Sequence, residues 1–331
     1  MNVIFGENAQ GKTNLLEAIW LFTGAKSFRG AKDSAFIKLG AQKGICELIF
    51  HSGGTENSAR MEFAEKRTAF LNENRLKSSA ELAGSFNAVV FSPPDLALVN
   101  DGPAARRRFL DIAIGQLYPN YISLLRSYNK AVLQRNQTLK SYRYDPSLSV
   151  MLDIFEDEIA SNGLKLTALR KRYTERLKKY IPDIYSGLSS GRETLSAEYI
   201  SPTPPETLSE ALKASRKEDM QNCVTSVGPH RDDIIFLING LNVRNYGSQG
   251  QRRSTALAVK LAQAEVISSI SGEYPVCLLD DVMSELDPGR QEYILNKVRN
   301  WQTFLTCCDP DDFKGLEGGK SFEISGGRIV S

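Results

Sequence analysis

The chain has 331 residues, of which 41% are hydrophobic and 24% charged, and its formal net charge is only +2. These values are those of a globular protein with room for two lobes, and they exclude a basic surface over the whole molecule, so any nucleic-acid contact must be a local patch. The apolar runs are too short for a membrane span, the N-terminus lacks a signal-peptide pattern, and the five cysteines form no C-x-x-C pair, which together predict a cytoplasmic protein without membrane contact.

Strand patterns dominate the first third of the chain. Val3, Ile4 and Phe5 form a short apolar run before a glycine-rich loop, and from Asn14 onward the apolar spacing is helical. Residues 45–91 predict an antiparallel β region, with strands at ICELIFH, ARMEFAEK, AFLNENRLK and NAVVFS and a reversal at Asn72-Glu73-Asn74.

Helical patterns begin after Ser92-Pro93-Pro94-Asp95. From Pro103 to about Leu177, Leu, Arg and Lys recur at helical spacing and predict two or three long helices, the first with a proline in its first turn. Residues 182–222 are rich in Ser, Pro, Glu and Lys, which predicts a poorly packed connection.

Strands and helices alternate in the last third. IIFLI at 234–238 precedes a hairpin signal at Asn239-Gly240. A helix over roughly 251–270, the buried strand PVCLLDD, a helix after Pro288 and the strand TFLTCCD follow. The order predicts an α/β fold in which residues 1–95 and 223–331 form one lobe and residues 96–222 form an inserted, mainly helical lobe.

A complete phosphate-loop motif lies between the first strand and the first helix. It matches G-x-x-x-x-G-K-[ST], and the residues predicted to contact a nucleotide are Gly6, Glu7, Asn8, Ala9, Gln10, Gly11, Lys12, Thr13 and Asn14. The glycines let backbone N–H groups turn onto phosphate oxygens, Lys12 would reach the β and γ phosphates, and Thr13 would bind Mg²⁺. The alternative is a chance glycine turn at the start of a helix.

Two carboxylates end the strand PVCLLDD. In a nucleotide site, Asp280 would hold Mg²⁺ and Asp281 would orient or deprotonate the attacking water. The alternative is that a buried strand simply ends in a capping aspartate.

The turn Tyr246–Gln251 precedes the helix at 251–270 and combines a hydroxyl, small residues and a helix N-terminus. One chain needs only one phosphate loop, so a second anion-binding turn would serve the nucleotide of another subunit. An ordinary N-cap is the alternative. Ser284-Glu285-Leu286-Asp287 is not informative by itself.

These motifs follow one another in an order that resembles the ABC-type, SMC-like class of P-loop ATPase heads. More narrowly, the sequence is similar to the RecF family of bacterial recombination mediators over nearly its whole length. The blocks that carry the resemblance are GENAQGKTNLLEAI, FSPPDLALVNDGPAARRRFLD, SVGPHRDD, YGSQGQRR and LLDDVMSELD.

The resemblance implies an ATP- and Mg²⁺-dependent DNA-binding protein of recombinational repair, which dimerises around two ATP molecules. The implied ligands are duplex DNA and single-strand/duplex junctions, and RecO and RecR are the implied partners in placing RecA on gapped DNA. The implied signature motif, which completes the site of the opposite subunit, is Ser248, Gln249, Gly250 and Gln251, and Asp287 would lie in the D-loop.

Three features depart from the family. In that family, further strands precede the phosphate loop, and their residues help to hold the nucleotide base. The adenine contacts of this chain are therefore undefined, and an upstream extension of roughly 20–30 residues is expected to add strands. Asp281 stands where many cassette ATPases have Glu, which predicts slow hydrolysis. Thr306 or Cys307 occupies the switch position, where a histidine is common.

Basic residues in the helical lobe allow two interpretations, either contacts to DNA phosphates or a solvated helix face balanced by acidic residues. They are Arg106, Arg107, Arg108, Arg126, Lys130, Arg135, Lys165, Arg170, Lys171, Arg172, Lys178 and Lys179. His230 is expected in a hydrogen-bond network rather than a metal site. The alternative to a DNA-binding ATPase is a P-loop small-molecule kinase, or another P-loop enzyme, with a helical substrate lobe.

Overall fold

The structure is a computed structural model that describes residues 1–142, 144–309 and 319–330. The strands of this part are β1 (Asn2–Phe5), β2 (Gly44–Ser52), β3 (Thr55–Phe63), β4 (Thr68–Leu71), β5 (Asn74–Arg75), β6 (Ala88–Phe91), β7 (Leu195–Ile200), β8 (Asp233–Ile238), β9 (Leu241–Asn242), β10 (Val276–Asp280), β11 (Thr303–Cys307), β12 (Ser321–Ser325) and β13 (Arg328–Ile329). The helices are α1 (Lys12–Leu21), α2 (Ala97–Asn100), α3 (Pro103–Leu117), α4 (Pro119–Tyr142), α5 (Ser149–Lys178), α6 (Ile181–Ser189), α7 (Leu208–Asn222), α8 (Val243–Tyr246), α9 (Gln249–Ser271) and α10 (Pro288–Lys297).

A six-stranded sheet with the order β13-β12-β1-β11-β10-β6 forms the centre of the molecule. β1 pairs in parallel with β11 and β12, β10 pairs in parallel with β11 and β6, and β13 runs antiparallel to β12. The assignment of NAVVFS to the antiparallel region was therefore wrong. Every residue of β6 is buried, as expected for a parallel strand covered on both faces.

The two faces of this sheet carry different layers. Val3 and Leu279 belong to the larger hydrophobic cluster, whereas their neighbours Ile4 and Leu278 belong to the smaller one, because successive strand residues point to opposite faces. The larger cluster includes residues of α3 to α7 and of α9, and the smaller includes residues of α1 and of β2 to β4. The central sheet thus separates α3 to α7 and α9 from α1 and the antiparallel sheet that contains β2 to β4.

The antiparallel region has the predicted reversals. β2, β3, β4 and β5 form a four-stranded sheet in sequence order. Asn72 and Glu73, which join β4 to β5, both have positive φ, a conformation that short hairpin turns require.

The helical prediction for 103–177 is confirmed by α3, α4 and α5. The prediction of a poorly packed connection over 182–222 was wrong, because this segment contains most of α6 together with β7 and α7. Leu195 and Ala197 of β7 are fully buried. Buried and exposed residues alternate along most of β7. The polar composition of the whole segment concealed this strand pattern.

β7 pairs with β8, which continues through the predicted Asn239-Gly240 hairpin to β9. This small sheet joins residues on both sides of the boundary expected at 222/223, and the two-lobe division of the chain stays a prediction. Residues 310–318 and 331 of the predicted ATPase lobe lie outside the described residues. Among the helices described, none is long and apolar enough to cross a membrane.

Candidate functional site

The phosphate-loop motif forms the predicted strand–loop–helix turn between β1 and α1. Gly6 and Gly11 have φ of 142° and 107°, which favours glycine at both positions. The Lys12 ammonium lies over the loop and donates to the Gly6 and Glu7 carbonyl oxygens. The loop therefore places a cation where the phosphates of a nucleotide would be held.

Thr13, in the first turn of α1, meets Asp280 at the carboxyl end of β10. The Thr13 hydroxyl donates to Asp280 Oδ1 at 2.8 Å, and the Thr306 hydroxyl donates to the same oxygen at 3.1 Å. Asp280 is only 5% exposed, and its burial raises the pKa of the carboxyl group, an effect that the two hydroxyl donors oppose.

A hydroxyl and a carboxylate oxygen suit Mg²⁺, which prefers oxygen ligands. The residues described include no cluster of three or more His, Cys, Asp or Glu that could enclose a metal without other ligands. This fits Mg²⁺, because that ion usually keeps several waters and binds substrate phosphates as well as one or two carboxylates. Thr13 and Asp280 are thus compatible with the predicted role.

Asp281 is exposed and has φ of 53°. Its Oδ1 accepts from the Ser284 hydroxyl at 3.1 Å, and its backbone N–H donates to Thr306 Oγ1 at 3.0 Å. The carboxylate is open to solvent beside the site, a position compatible both with the orientation of a water molecule and with a structural cap.

Cys308, which directly follows β11, faces the phosphate loop. Thr306 and Cys307, which the sequence suggested for the switch position, are both buried. The exposed Cys308 Sγ lies 3.3 Å from Asn8 Oδ1 and 3.8 Å from Lys12 Nζ. Cys308 was missed because the alignment of β11 beside β1 is not visible in the sequence.

Arg29 is a second site residue that the sequence motifs did not indicate. Its Nη1 donates to Asn14 Oδ1 at 3.0 Å and lies 3.7 Å from Glu17 Oε2. Its charge also lowers the pKa of Asp280 slightly, against the larger effect of burial. Asn14 and Glu17 are one helical turn apart, a spacing that could have indicated a shared partner.

The Ser248–Gln251 turn is engaged with its own helix and with Glu193. The Ser248 hydroxyl accepts from the Gln251 N–H at 3.2 Å, and Gln251 Oε1 accepts from the Ser248 N–H at 2.7 Å, so the two residues form a capping box. Gln251 Nε2 donates to Glu193 Oε1 at 2.7 Å. Gln249 and Gly250 form the first turn of α9. The contacts described for this turn do not bring it to the phosphate loop of the same chain.

Gln10 contacts the β12–β13 hairpin. Its Oε1 accepts from the Gly326 N–H at 2.7 Å, and its backbone carbonyl accepts from the Gly327 N–H at 3.0 Å. The hairpin therefore lies directly beside the phosphate loop.

Several basic residues of α3, α4 and α5 are not available to DNA. Three arginines form buried or half-buried salt bridges with carboxylates. The salt bridges are Arg106–Asp233, Arg135–Glu156, Arg135–Asp219 and Arg170–Asp111. For these three arginines both earlier interpretations, phosphate contact and solvated face, were wrong. The exposed basic residues that stay candidates are Arg108, Arg126, Lys130, Lys165, Lys171, Arg172 and Lys179.

His230 lies in a hydrogen-bond network, as predicted. Its Nδ1 is 2.7 Å from the Tyr128 hydroxyl and its Nε2 is 2.9 Å from the Thr225 carbonyl oxygen. Burial lowers its pKa, which favours the neutral ring.

Comparison with known proteins points to one family. The sequence matches the RecF/RecN/SMC N terminal domain over residues 1–317. It is 38% identical over 337 residues to the DNA replication and repair protein RecF of Lachnospira eligens, covering 100% of this chain and 93% of that relative. It is 38% identical over 332 residues to RecF of Agathobacter rectalis, covering 99% and 92%.

Solved structures agree with this comparison. The recombination mediator protein RecF with ATP, from the RecFOR pathway, superposes with a TM-score of 0.91 at 36% identity, covering 99% of this chain and 90% of that one. The SMC head domain of Pyrococcus yayanosii superposes with a TM-score of 0.56 at 14% identity, covering 100% and 92%, and supports the fold alone.

Proposed function

The chain belongs to the RecF/RecN/SMC N terminal domain family, and we propose on that premise that it is an ATP-dependent DNA-binding protein of DNA replication and repair. The observation that carries the proposal is the contact of Thr13 with Asp280, which joins the phosphate loop to the acidic strand across 267 positions of the sequence. Full-length relatives named as DNA replication and repair proteins support the biological role.

The phosphate loop, Lys12 and the N-terminus of α1 would bind the ATP phosphates. Thr13 and Asp280 would hold Mg²⁺, which neutralises phosphate charge, and Asp281 would orient the attacking water. Hydrolysis at this site would serve as a slow switch rather than as a metabolic reaction.

The Ser248–Gln251 turn supports a dimer. Its described contacts are with Glu193 and within its own helix, and not with the phosphate loop of the same chain. It is therefore suited to complete the nucleotide site of a second subunit. ATP would then control dimerisation and the retention of DNA. RecO and RecR as partners, RecA loading and a cytoplasmic location follow from the family resemblance and are part of the proposal.

A small-molecule kinase with a helical substrate lobe finds no support in the comparisons. The relatives that match this chain along nearly their whole length are named for DNA replication and repair.

The test is Lys12→Ala. Removing the ammonium that lies over the loop should abolish tight ATP binding and ATP-stimulated DNA binding without unfolding the protein. Binding to duplex, single-stranded and gapped DNA would be measured with ATP, with ADP and without nucleotide.

Lys43→Ala, at an exposed lysine outside the site, is the matched control and should behave as wild type. Wild-type ATP affinity in Lys12→Ala, or DNA binding that ignores the nucleotide in the wild-type protein, would contradict the proposal.

A further inference from the structure

The turn between β12 and β13 has two backbone N–H groups that its own hairpin cannot pair. Ile324 pairs with Ile329 and Ser325 with Arg328, which leaves Gly326 and Gly327 as a two-residue turn. Both glycines have positive φ, 55° and 73°. In such turns the amides of the two central residues point away from the strand pairing, so they need acceptors from elsewhere.

Gln10 supplies both acceptors. The Gly326 N–H donates to its side-chain oxygen at 2.7 Å and the Gly327 N–H to its backbone carbonyl at 3.0 Å. We call this pair of bonds the Gln10–hairpin contact. The side-chain amide of Gln10 is therefore turned toward the hairpin, although the residue lies within the phosphate-loop motif.

The two glycines of the loop also pack against this hairpin. A Cβ at Gly6 would lie 2.4 Å from the Ile324 carbonyl oxygen, and a Cβ at Gly11 would lie 3.5 Å from the Gly327 Cα. β12 pairs with β1 up to the Phe5–Glu323 register, immediately before the loop begins. The hairpin backbone thus forms one wall of the loop along its length.

We propose that Gln10 is a positioning residue, which ties the curvature of the phosphate loop to the β12–β13 hairpin. The loop would bind phosphate through backbone N–H groups. The directions of these N–H groups depend on how Gln10 holds the backbone between Gly6 and Gly11. Phosphate binding and ordering of the hairpin turn are then coupled, and the coupling is reciprocal. This inference rests on the proposed ATP binding and adds a control element to the same site.

The test compares Gln10→Met with wild type. Methionine keeps the length of the side chain but removes the acceptor for Gly326. ATP binding should weaken about tenfold, the effect of losing one hydrogen bond, while the melting temperature without nucleotide changes little. Amide hydrogen exchange at Gly326 and Gly327 should slow when ATP binds to wild type, and this response should be lost in Gln10→Met.

Two further variants separate positioning from a general structural role. Gln10→Glu keeps an acceptor oxygen for the Gly326 N–H. Without nucleotide, its two glycine amides should therefore exchange as slowly as those of wild type and more slowly than those of Gln10→Met. Ser325→Ala changes an exposed side chain of the same hairpin but no backbone amide, and it should bind ATP as wild type does.

Unchanged ATP affinity in Gln10→Met overturns the inference, as does exchange at Gly326 and Gly327 that is the same with and without ATP in wild type. The second measurement needs no variant, so it decides the question even if Gln10→Met fails to fold. A wild-type protein that does not bind ATP would instead refute the proposed function.

Discussion

Asp280 combines a proposed role in Mg²⁺ binding with an unfavourable effect on the stability of the fold. Its carboxylate is almost inaccessible to water, and desolvation disfavours the charged form. The Thr13 and Thr306 hydroxyls offset part of this cost by donating to Oδ1. Asp280, which we propose to hold Mg²⁺ in its ionised form, is therefore placed where ionisation is unfavourable.

Asp280→Asn should separate the two effects. Because burial raises the pKa of Asp280, the folded protein keeps this proton to a higher pH than the unfolded chain, and the stability from this group is lost as pH rises through the folded-state pKa. Asparagine removes that loss and still accepts from both threonines. We expect Asp280→Asn to melt at the wild-type temperature or above it at pH 8, with a smaller advantage at pH 4, close to the ordinary aspartate pKa of about 3.9, and to lose Mg²⁺-dependent ATP hydrolysis.

Thermal unfolding at the two pH values without nucleotide, together with an ATPase assay, checks this expectation. Asp281→Asn, at the exposed neighbouring carboxylate, is the control for stability and should leave the melting temperature unchanged. A lower melting temperature of Asp280→Asn at pH 8 would show that the ionised carboxylate stabilises the fold.

Cys308 offers a chemical probe of the same site. Its thiol is exposed and lies near Asn8 and Lys12, so a nucleotide held by the loop should cover it. We expect ATP to slow alkylation of Cys308 by iodoacetamide several-fold, as followed by mass spectrometry of its peptide. Cys46, in β2, is the internal control and should be alkylated at the same rate with and without ATP. Equal rates at Cys308 under both conditions would place the nucleotide elsewhere.

At the scale of elements, buried ion pairs join the helices α4, α5 and α7. Arg135 of α4 is fully buried, pairs with Glu156 of α5 and Asp219 of α7, and also donates to Thr225 Oγ1 at 3.0 Å. Arg216 adds a second partner for Glu156. Buried charges of this kind are tolerated because each has a partner, and they set the relative positions of the three helices.

Arg135→Ala should therefore destabilise the protein by about 3–5 kcal/mol, because it leaves buried carboxylates with too few partners. Lys178→Ala removes an exposed pair with Glu175 and should cost about 0–1 kcal/mol. Urea unfolding of both variants gives the comparison. Equal losses of stability would mean that the Arg135 network does not hold the helices together.

These arginines also show where sequence reasoning reaches its limit. Phosphate loop, acidic strand and long helices were predictable, because each depends on residues close in sequence. The burial of Arg135 depends on acidic residues brought in by α5 and α7, so its role in the fold could not be distinguished from a DNA contact. β6 was misplaced for a similar reason, since its partner β10 lies almost two hundred positions away.

The site was predictable to the same degree. The pairing of Thr13 with Asp280 followed from the motif chemistry of each segment. The contacts of Gln10 with Gly326 and of Cys308 with Asn8 did not, because they depend on which strands flank β1 in the sheet. Periodicity in the sequence does not specify that order.

At the scale of the whole molecule, the separation of the phosphate loop from the Ser248–Gln251 turn predicts action in trans. Lys12→Ala and Ser248→Arg should each be inactive as homodimers. A mixed dimer contains one composite site with both defects and one with neither. Equal mixing should therefore restore about a quarter of the wild-type sites, if one intact site can act alone.

ATPase activity of the mixture measures this recovery, and ATP-dependent dimer formation must be confirmed separately. Mixed dimers that form but stay inactive would contradict a shared site or show that the two sites must act together. Full activity of Ser248→Arg alone would remove the assignment of this turn.

The sheet order has a consequence for how the protein is made. β1 leaves the ribosome well before its partners β11 and β12 and before the later residues that contact the phosphate loop. Until they emerge, the loop lacks Asp280, Cys308 and the hairpin turn, so a nascent or prematurely terminated chain should not retain ATP. Nucleotide binding would then act as a check on completed synthesis, and interrupted products would be kept out of any assembly that requires bound ATP.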